Sequence, residues 1–99
     1  MRVEFAPQAD ADLEDIGDFI ARDNPARAVR FISEIKTTCV GLGRAPDVGT
    51  PRAELSTGIR MLTHGRYLIF YRKKGALIRI ERVMHSARDI SVDDFDAAN

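Results

Sequence analysis

The feature that most restricts this 99-residue chain is a pair of helical apolar stripes with almost nothing between them. From Ala9 the apolar residues fall at Ala9, Leu13, Ile16 and Ile20, with Phe19 alongside, while Asp10, Glu14, Asp15 and Asp18 take the opposite face. Spacings of four, three and four draw one stripe along a helix ending near Asp23. DNPARA then restarts it. Asn24 can cap a new helix through its side-chain oxygen, and Pro25 suits a first helical position, where no amide donor is needed. The second stripe, Ala28, Ile32, Ile35, Cys39 and Leu42, is widened by Val29 and Phe31 and stops at Gly41 and Gly43. So short a break folds the two helices back as an antiparallel hairpin, whose apolar face must lie on something else.

The rest of the chain supplies that cover. RVEFA alternates as a short strand, and Pro7 stops it. APDVGTPRAELSTG is a loop rich in Pro, Gly and small polar residues, long enough to suspect function. IRMLTH, RYLIFYRK and ALIRIERVMH then form three strands, with turns at His64-Gly65 and Lys74-Gly75 that make an antiparallel meander. Leu68 to Tyr71 is apolar on both faces, as suits a central strand. Alternation places Ile78 and Ile80 inward, but Val83 is out of phase, so a bulge or strong twist is expected near Glu81–Arg82. The expected fold is α+β in the order β-α-α-β-β-β: a helix hairpin packed on a small antiparallel sheet, the first strand at an edge. Residues 1–99 make a single domain. The tail from residue 91 has room for one helical turn but is expected to be mobile.

A hydrophobic share of 44% and a charged share of 30% suit a globular protein, and no apolar run could span a bilayer. MRVEFAPQAD has no apolar signal stretch, so a cytoplasmic protein is expected. One cysteine excludes an internal disulfide, and two histidines beside it are a poor ligand supply for zinc; neither metal nor cofactor is expected. Net charge is zero but unevenly spread. Residues 1–23 hold seven acids against two arginines, net −5, and residues 50–88 hold nine cations against two acids, net +7. These are either two solvated faces or a basic half that meets an acidic partner or phosphates.

No Gly-rich phosphate loop, GxSxG, HExxH or CxxC is present. Cys39, in an apolar stripe, reads as a buried hydrophobe, and His64, at a turn, as solvent-exposed. The chemistry-bearing residues are Arg60, Arg66, Tyr71, Arg72, Arg82, His85 and Arg88. Cleaving RNA through its own 2′-hydroxyl needs a base, an acid and cations on the phosphorane. His85 could be base or acid and Arg82 or Arg88 the clamp, with Glu54 or Glu81 as a second proton-transfer group. Equally, RVMHSARDI could anchor a strand end or dock a partner.

FAPQADADLEDIGDFI, NPARAVRFISEI, APDVGTPRAEL, GIRMLTHGRYLIFYR and IRIERVMHSARDI, in this order, resemble the RelE/ParE toxins of bacterial type II toxin–antitoxin pairs. The strand ending in RVxHxxRD is more similar to the ParE branch. The resemblance implies a helix hairpin on an antiparallel sheet and a cognate antitoxin, a ribbon-helix-helix protein with a flexible tail that wraps the toxin. Operator DNA would be met only through that antitoxin, which is expected in the groove between the second helix and the sheet. ParE-like members inhibit DNA gyrase without chemistry of their own. On that reading Arg60, Arg66, Tyr71, Arg82, His85, Arg88 and Asp89 are contact surface. RelE-like members instead cleave mRNA in the ribosome, often with a C-terminal tyrosine. Here no tyrosine follows Tyr71, Ser86 follows His85, and the tail carries Asp93, Asp94 and Asp96, so the gyrase inhibitor is the expectation and the nuclease the alternative. A degenerate toxin that only binds its antitoxin is a third.

Overall fold

The computed structural model describes residues 1–96. The elements run β1 (Arg2–Phe5), α1 (Pro7–Ala21), α2 (Pro25–Gly41), β2 (Thr50–Pro51), β3 (Arg60–His64), β4 (Tyr67–Lys74), β5 (Leu77–His85) and α3 (Asp93–Asp96). Both long helices start at a proline, and α2 is capped as its sequence dictates, the Asn24 side chain accepting from Arg27 N–H at 3.0 Å.

The five strands form one sheet in the order β1-β5-β4-β3-β2. The β3–β4 and β4–β5 hairpins have two-residue loops that open on Gly65 and Gly75, each at φ 59°. With no positive φ at Arg66 or Ala76 this is the II′ pattern, whose twist matches the strands. The first strand does lie at an edge, but the sheet is mixed and not purely antiparallel, because β1 runs parallel to β5, from Arg2↔Leu77 to Phe5↔Ile80. A two-residue hairpin forces antiparallel neighbours, whereas β1 and β5 are joined through most of the chain and escape that constraint. The sequence reading also missed β2, which pairs Thr50 with Met61 inside the long loop.

The expected bulge is present. Phe70 pairs with Arg82 and Tyr71 with Ile80, leaving Glu81 as the extra residue. The slip returns Val83 to the face of Ile78 and Ile80, where all three pack with Ile69 and Tyr71 beneath Leu13, Ile16, Phe31, Ile35 and Cys39 of the helices. On the opposite face Phe70 and Met84 are covered by Leu55 and Ile59 of the loop and by Phe95 of α3. Phe95 is buried and meets Phe70 edge-on, ring centroids 5.1 Å apart. The segment expected as a mobile tail thus forms a packed turn through Asp96, because Phe95 has an apolar sheet face to cover; residues 97–99 of that tail lie outside the described residues.

Candidate functional site

The stretch from Arg82 to Ile90 ends β5, and the fold divides its side chains between two jobs. Arg82 faces α1, where Asp12 receives it as a fork, Nε to Oδ2 at 2.8 Å and Nη2 to Oδ1 at 2.9 Å. The same carboxylate accepts from Val83 N–H at 2.9 Å, beyond the point where β1 stops pairing with β5. Arg82 Nη1 also donates to the Asp94 carbonyl at 3.2 Å. Both Arg82 and Asp12 are only 12% exposed, and the hydrogen bond that Arg82 donates to Asp12 raises the guanidinium pKa above its ordinary value. Arg82 therefore ties β5 to α1 and α3. Its fork is satisfied by a carboxylate, which leaves little of it for the partner contact or phosphate clamp expected from the sequence.

Arg88 Nη2 donates to Asp94 Oδ1 at 2.8 Å but stays exposed. His85 sits opposite Tyr67 at the sheet end, rings edge-on at 5.1 Å, and its Nδ1 accepts from Ala87 N–H at 3.0 Å. That bond leaves the proton of a neutral ring on Nε2. Arg66, in the adjacent turn, is exposed and offers its carbonyl to Ser86 N–H at 2.8 Å; Asp89 is exposed as well. Arg66, His85, Arg88 and Asp89 are thus the predicted residues that the fold leaves at the surface.

The others are engaged within the fold. Tyr71 is fully buried, the reverse of a contact residue, because strand alternation points it under the helices. Its hydroxyl accepts from Gly49 N–H at 2.8 Å and donates to the Pro46 carbonyl at 2.9 Å, pinning the long loop. Gly49 is required there, since a Cβ would fall 2.7 Å from the Tyr71 hydroxyl. Arg60 is spent on the same loop, donating to the carbonyls of Gly49 at 2.7 Å and Asp47 at 3.1 Å. Arg72 holds the next stretch, through the Thr57 carbonyl at 2.7 Å and Ser56 Oγ at 2.9 Å. Glu81, the extra residue of the bulge, meets Arg72 and Arg79 as close ion pairs, 2.8 and 3.2 Å. Glu54 is engaged by Arg52, whose hydrogen bond lowers its pKa.

Two further readings are settled by burial. Cys39 is fully buried and burial pushes its thiol up to about 12, which suits a core residue and not a nucleophile. His64 is packed and not simply exposed: its Nδ1 lies 3.1 Å from Thr38 Oγ1 and its ring meets Phe31 at 5.7 Å. Among the described residues no cluster of three or more His, Cys, Asp or Glu is placed to hold a metal ion, and no helix is long and apolar enough to cross a membrane.

The cavity beside His85, about 340 Å³, is an apolar trough between α1 and β5 floored by Ile16, Tyr67 and Val83 and rimmed by Asp12, Asp15 and Arg88. Asp12 is paired with Arg82 and Arg88 with Asp94, so the rim charge without an ion-pair partner among the described residues is Asp15, which would repel a phosphate. Phe19, 62% exposed, stands at its mouth, a feature that the sequence reading folded into the α1 core stripe. The α2–sheet interface expected to take the antitoxin is closed by Phe31, Ile35 and Cys39, all buried. Open apolar surface lies instead on the outer side of α2, where Val29, Ile32 and Val40 line a groove of about 700 Å³.

Comparison with known proteins agrees with this architecture. Residues 3–90 match the family described as the ParE toxin of type II toxin–antitoxin systems, parDE. Toxin ParE1 of Caulobacter vibrioides is 31% identical over 81 residues, which cover 81% of this chain and 83% of that protein. Among solved structures, the chromosomal ParDE system from P. aeruginosa contains a chain that superposes with a TM-score of 0.74 at 26% identity, covering 86% of this chain and 95% of its own. A chain of the RelBE2 toxin–antitoxin complex from Mycobacterium tuberculosis superposes at 0.65, also with 26% identity, covering 85% of this chain and 95% of its own. The chain belongs to the ParE toxin family of type II toxin–antitoxin systems.

Proposed function

We propose that this toxin acts by docking on a protein, DNA gyrase, in the cytoplasm, and that a ribbon-helix-helix antitoxin with a flexible tail neutralises it. One observation carries the choice of docking over RNA cleavage: the two arginines that flank His85 along the chain are already in ion pairs, Arg82 with Asp12 and Arg88 with Asp94, which leaves Arg66 alone as the unpaired cation beside it among the described residues. A ribonuclease needs free cations converging on the reacting phosphate. Here the histidine borders an apolar trough with carboxylates on its rim, which favours a peptide surface. The family membership supports the gyrase target and the antitoxin partner; operator DNA is then reached only through the antitoxin.

The experiment is induction in cells lacking the antitoxin, reading DNA integrity and ribosome-bound mRNA in parallel. Gyrase-linked or broken DNA with intact mRNA is the expected result. Codon-phased mRNA cuts with intact DNA would establish the RelE-type activity instead. His85→Ala adds a second arm: a nuclease loses roughly two to four orders of magnitude in cleavage with its general acid or base, whereas a docking toxin changes only modestly. No effect on DNA or mRNA would mark a toxin that only binds its antitoxin.

A further inference from the structure

At the bulge two arginines share one carboxylate. Arg72 Nε lies 2.8 Å from Glu81 Oε2, and Arg79 Nε lies 3.2 Å from Oε1. Arg72 has other acceptors in the Thr57 carbonyl and Ser56 Oγ. Arg79 has no hydrogen-bond acceptor among the described residues: its Nε is sheltered from solvent, and the approach to Glu81 falls short of a hydrogen bond. This set therefore holds two positive charges against one negative. The neighbouring set, Arg82 and Arg88 with Asp12 and Asp94, balances.

Arg79 lines a cavity of about 230 Å³ together with Gln8, Glu81, Arg82, Asp94 and Phe95. The cavity lies where β1 gives way to α1, beyond the last β1–β5 pair, Phe5↔Ile80. Its other charged groups are already spent. Glu81 faces two arginines, and Asp94 accepts from Arg88 at 2.8 Å through Oδ1 and from Ser91 N–H at 2.9 Å through Oδ2. Arg82 gives all three of its nitrogens to Asp12 and the Asp94 carbonyl. What the wall has left to offer is the outer edge of the Arg79 guanidinium and the exposed Gln8 side chain. At 35% exposure Arg79 is sheltered but within reach of a solute. A guanidinium half out of water with unfilled donors costs free energy until something accepts from it.

We infer that this cavity binds a small oxyanion, a carboxylate or a phosphate, held by the two Nη groups of Arg79 and the Gln8 carboxamide. A planar fork of N–H donors matches two oxygens of either anion. One negative charge there balances the Arg72–Glu81–Arg79 set. α1 starts at the same wall with no side-chain cap on Ala6, so the positive end of its dipole adds to the field without being its source. The bound anion ties β5 to the start of α1 and to α3, and its occupancy stabilises the fold. The inference stands apart from the gyrase reading, because it concerns ion binding to the free toxin.

The test is NMR titration of the full chain with sodium phosphate and, separately, sodium acetate, ionic strength held constant with sodium chloride. The Arg79 Nε–Hε and Gln8 amide signals should shift together and saturate, with a dissociation constant on the order of 1 mM, which two charge-assisted hydrogen bonds can supply. At about tenfold that concentration the melting temperature should rise by about 6–11 °C. Tighter binding of phosphate would assign the site to phosphates, and equal or tighter binding of acetate to carboxylates. Arg79→Gln should weaken binding at least about tenfold, whereas Lys74→Gln, which removes the same charge away from the cavity, should bind as the wild type does. Should Arg79→Gln fail to fold, the Arg79 Nε–Hε signal of the wild type decides alone. Shifts that stay linear in both salts, shifts that leave Arg79 and Gln8 unmoved, or equal weakening in the two variants would overturn the inference.

Discussion

Replacing Asp12 with alanine should be among the most damaging single changes at the sheet edge. The carboxylate accepts three hydrogen bonds, two from Arg82 and one from Val83 N–H, at 2.8 to 2.9 Å. Its loss leaves a guanidinium that is 12% exposed without its main partner and a strand N–H with no acceptor. Breaking a buried pair by removing one member costs about 3–5 kcal/mol. Asp94 retains part of the charge, its carboxylate 3.7 Å from Arg82 Nη1, so the lower end applies, about 3 kcal/mol. In a domain of this size that is a fall of about 12–24 °C in melting temperature. Urea denaturation followed by circular dichroism should show a lower midpoint with the slope unchanged. The double variant Asp12→Leu, Arg82→Met should recover about 2 kcal/mol relative to the sum of the singles, because two apolar side chains leave no charge stranded. A loss below about 1 kcal/mol for Asp12→Ala, or strict additivity in the double variant, would refute the view of Arg82 as a strut. The same experiment separates scaffold from interface: toxicity lost in Arg82→Ala should track lost stability.

Three further outcomes follow from burial and pairing. Tyr71→Phe should cost about 1–2 kcal/mol, since Gly49 N–H and the Pro46 carbonyl lose their partner, and amide exchange in residues 46–49 should quicken; unchanged exchange would count against the hydroxyl as the loop's anchor. Cys39, its thiol pushed up to about 12, should resist maleimide at neutral pH in the native state and react at the rate of opening; immediate labelling would contradict its place in the core. Asp47 is held below the ordinary 3.8 by its hydrogen bond and charge interaction with Lys73, and further by Arg60. Its folded pKa is depressed, so its contribution is complete above that ordinary value and is lost as pH falls through the folded one. The urea midpoints of the wild type and Asp47→Asn should therefore differ at neutral pH and converge in acid; a gap that persists at low pH would assign the effect to something other than charge.

What the sequence made legible was local. Asn24-Pro25 announces a capped helix start because both signals act within three residues. The phase slip between Ile80 and Val83 announces the bulge because alternation has period two. What it concealed was set by distant partners. Nothing near Arg82 says that its carboxylate lies 70 residues upstream, and nothing in RVEF fixes the direction in which it pairs. The packed C-terminal turn had an available signal that went unused. Ser91-Val92-Asp93-Asp94 is a Ser-x-x-Asp run, and Asp94 Oδ2 accepts from Ser91 N–H at 2.9 Å, one half of a capping box. Tyr71 was misplaced because a tyrosine in a strand reads equally well as an exposed contact or as a buried body with one hydroxyl to satisfy.

The charge pattern misled in a more instructive way. Counted along the chain, the C-terminal half is basic and invites a phosphate or an acidic partner. Folded, seven of its nine cations are in ion pairs, with Arg66 and Lys74 left over among the described residues. The acids of residues 1–23 behave oppositely. Glu4 and Asp12 are paired, whereas Asp10, Glu14, Asp15, Asp18 and Asp23 have no ion-pair partner among the described residues. Uncommitted charge is what an incoming molecule meets, and along α1 that charge is negative. A surface built for nucleic acid keeps its cations free to displace counterions. This fold spends them on holding its loop, its bulge and its last turn, and offers a partner acids beside apolar grooves. That disposition is the physical basis for proposing protein recognition over RNA cleavage.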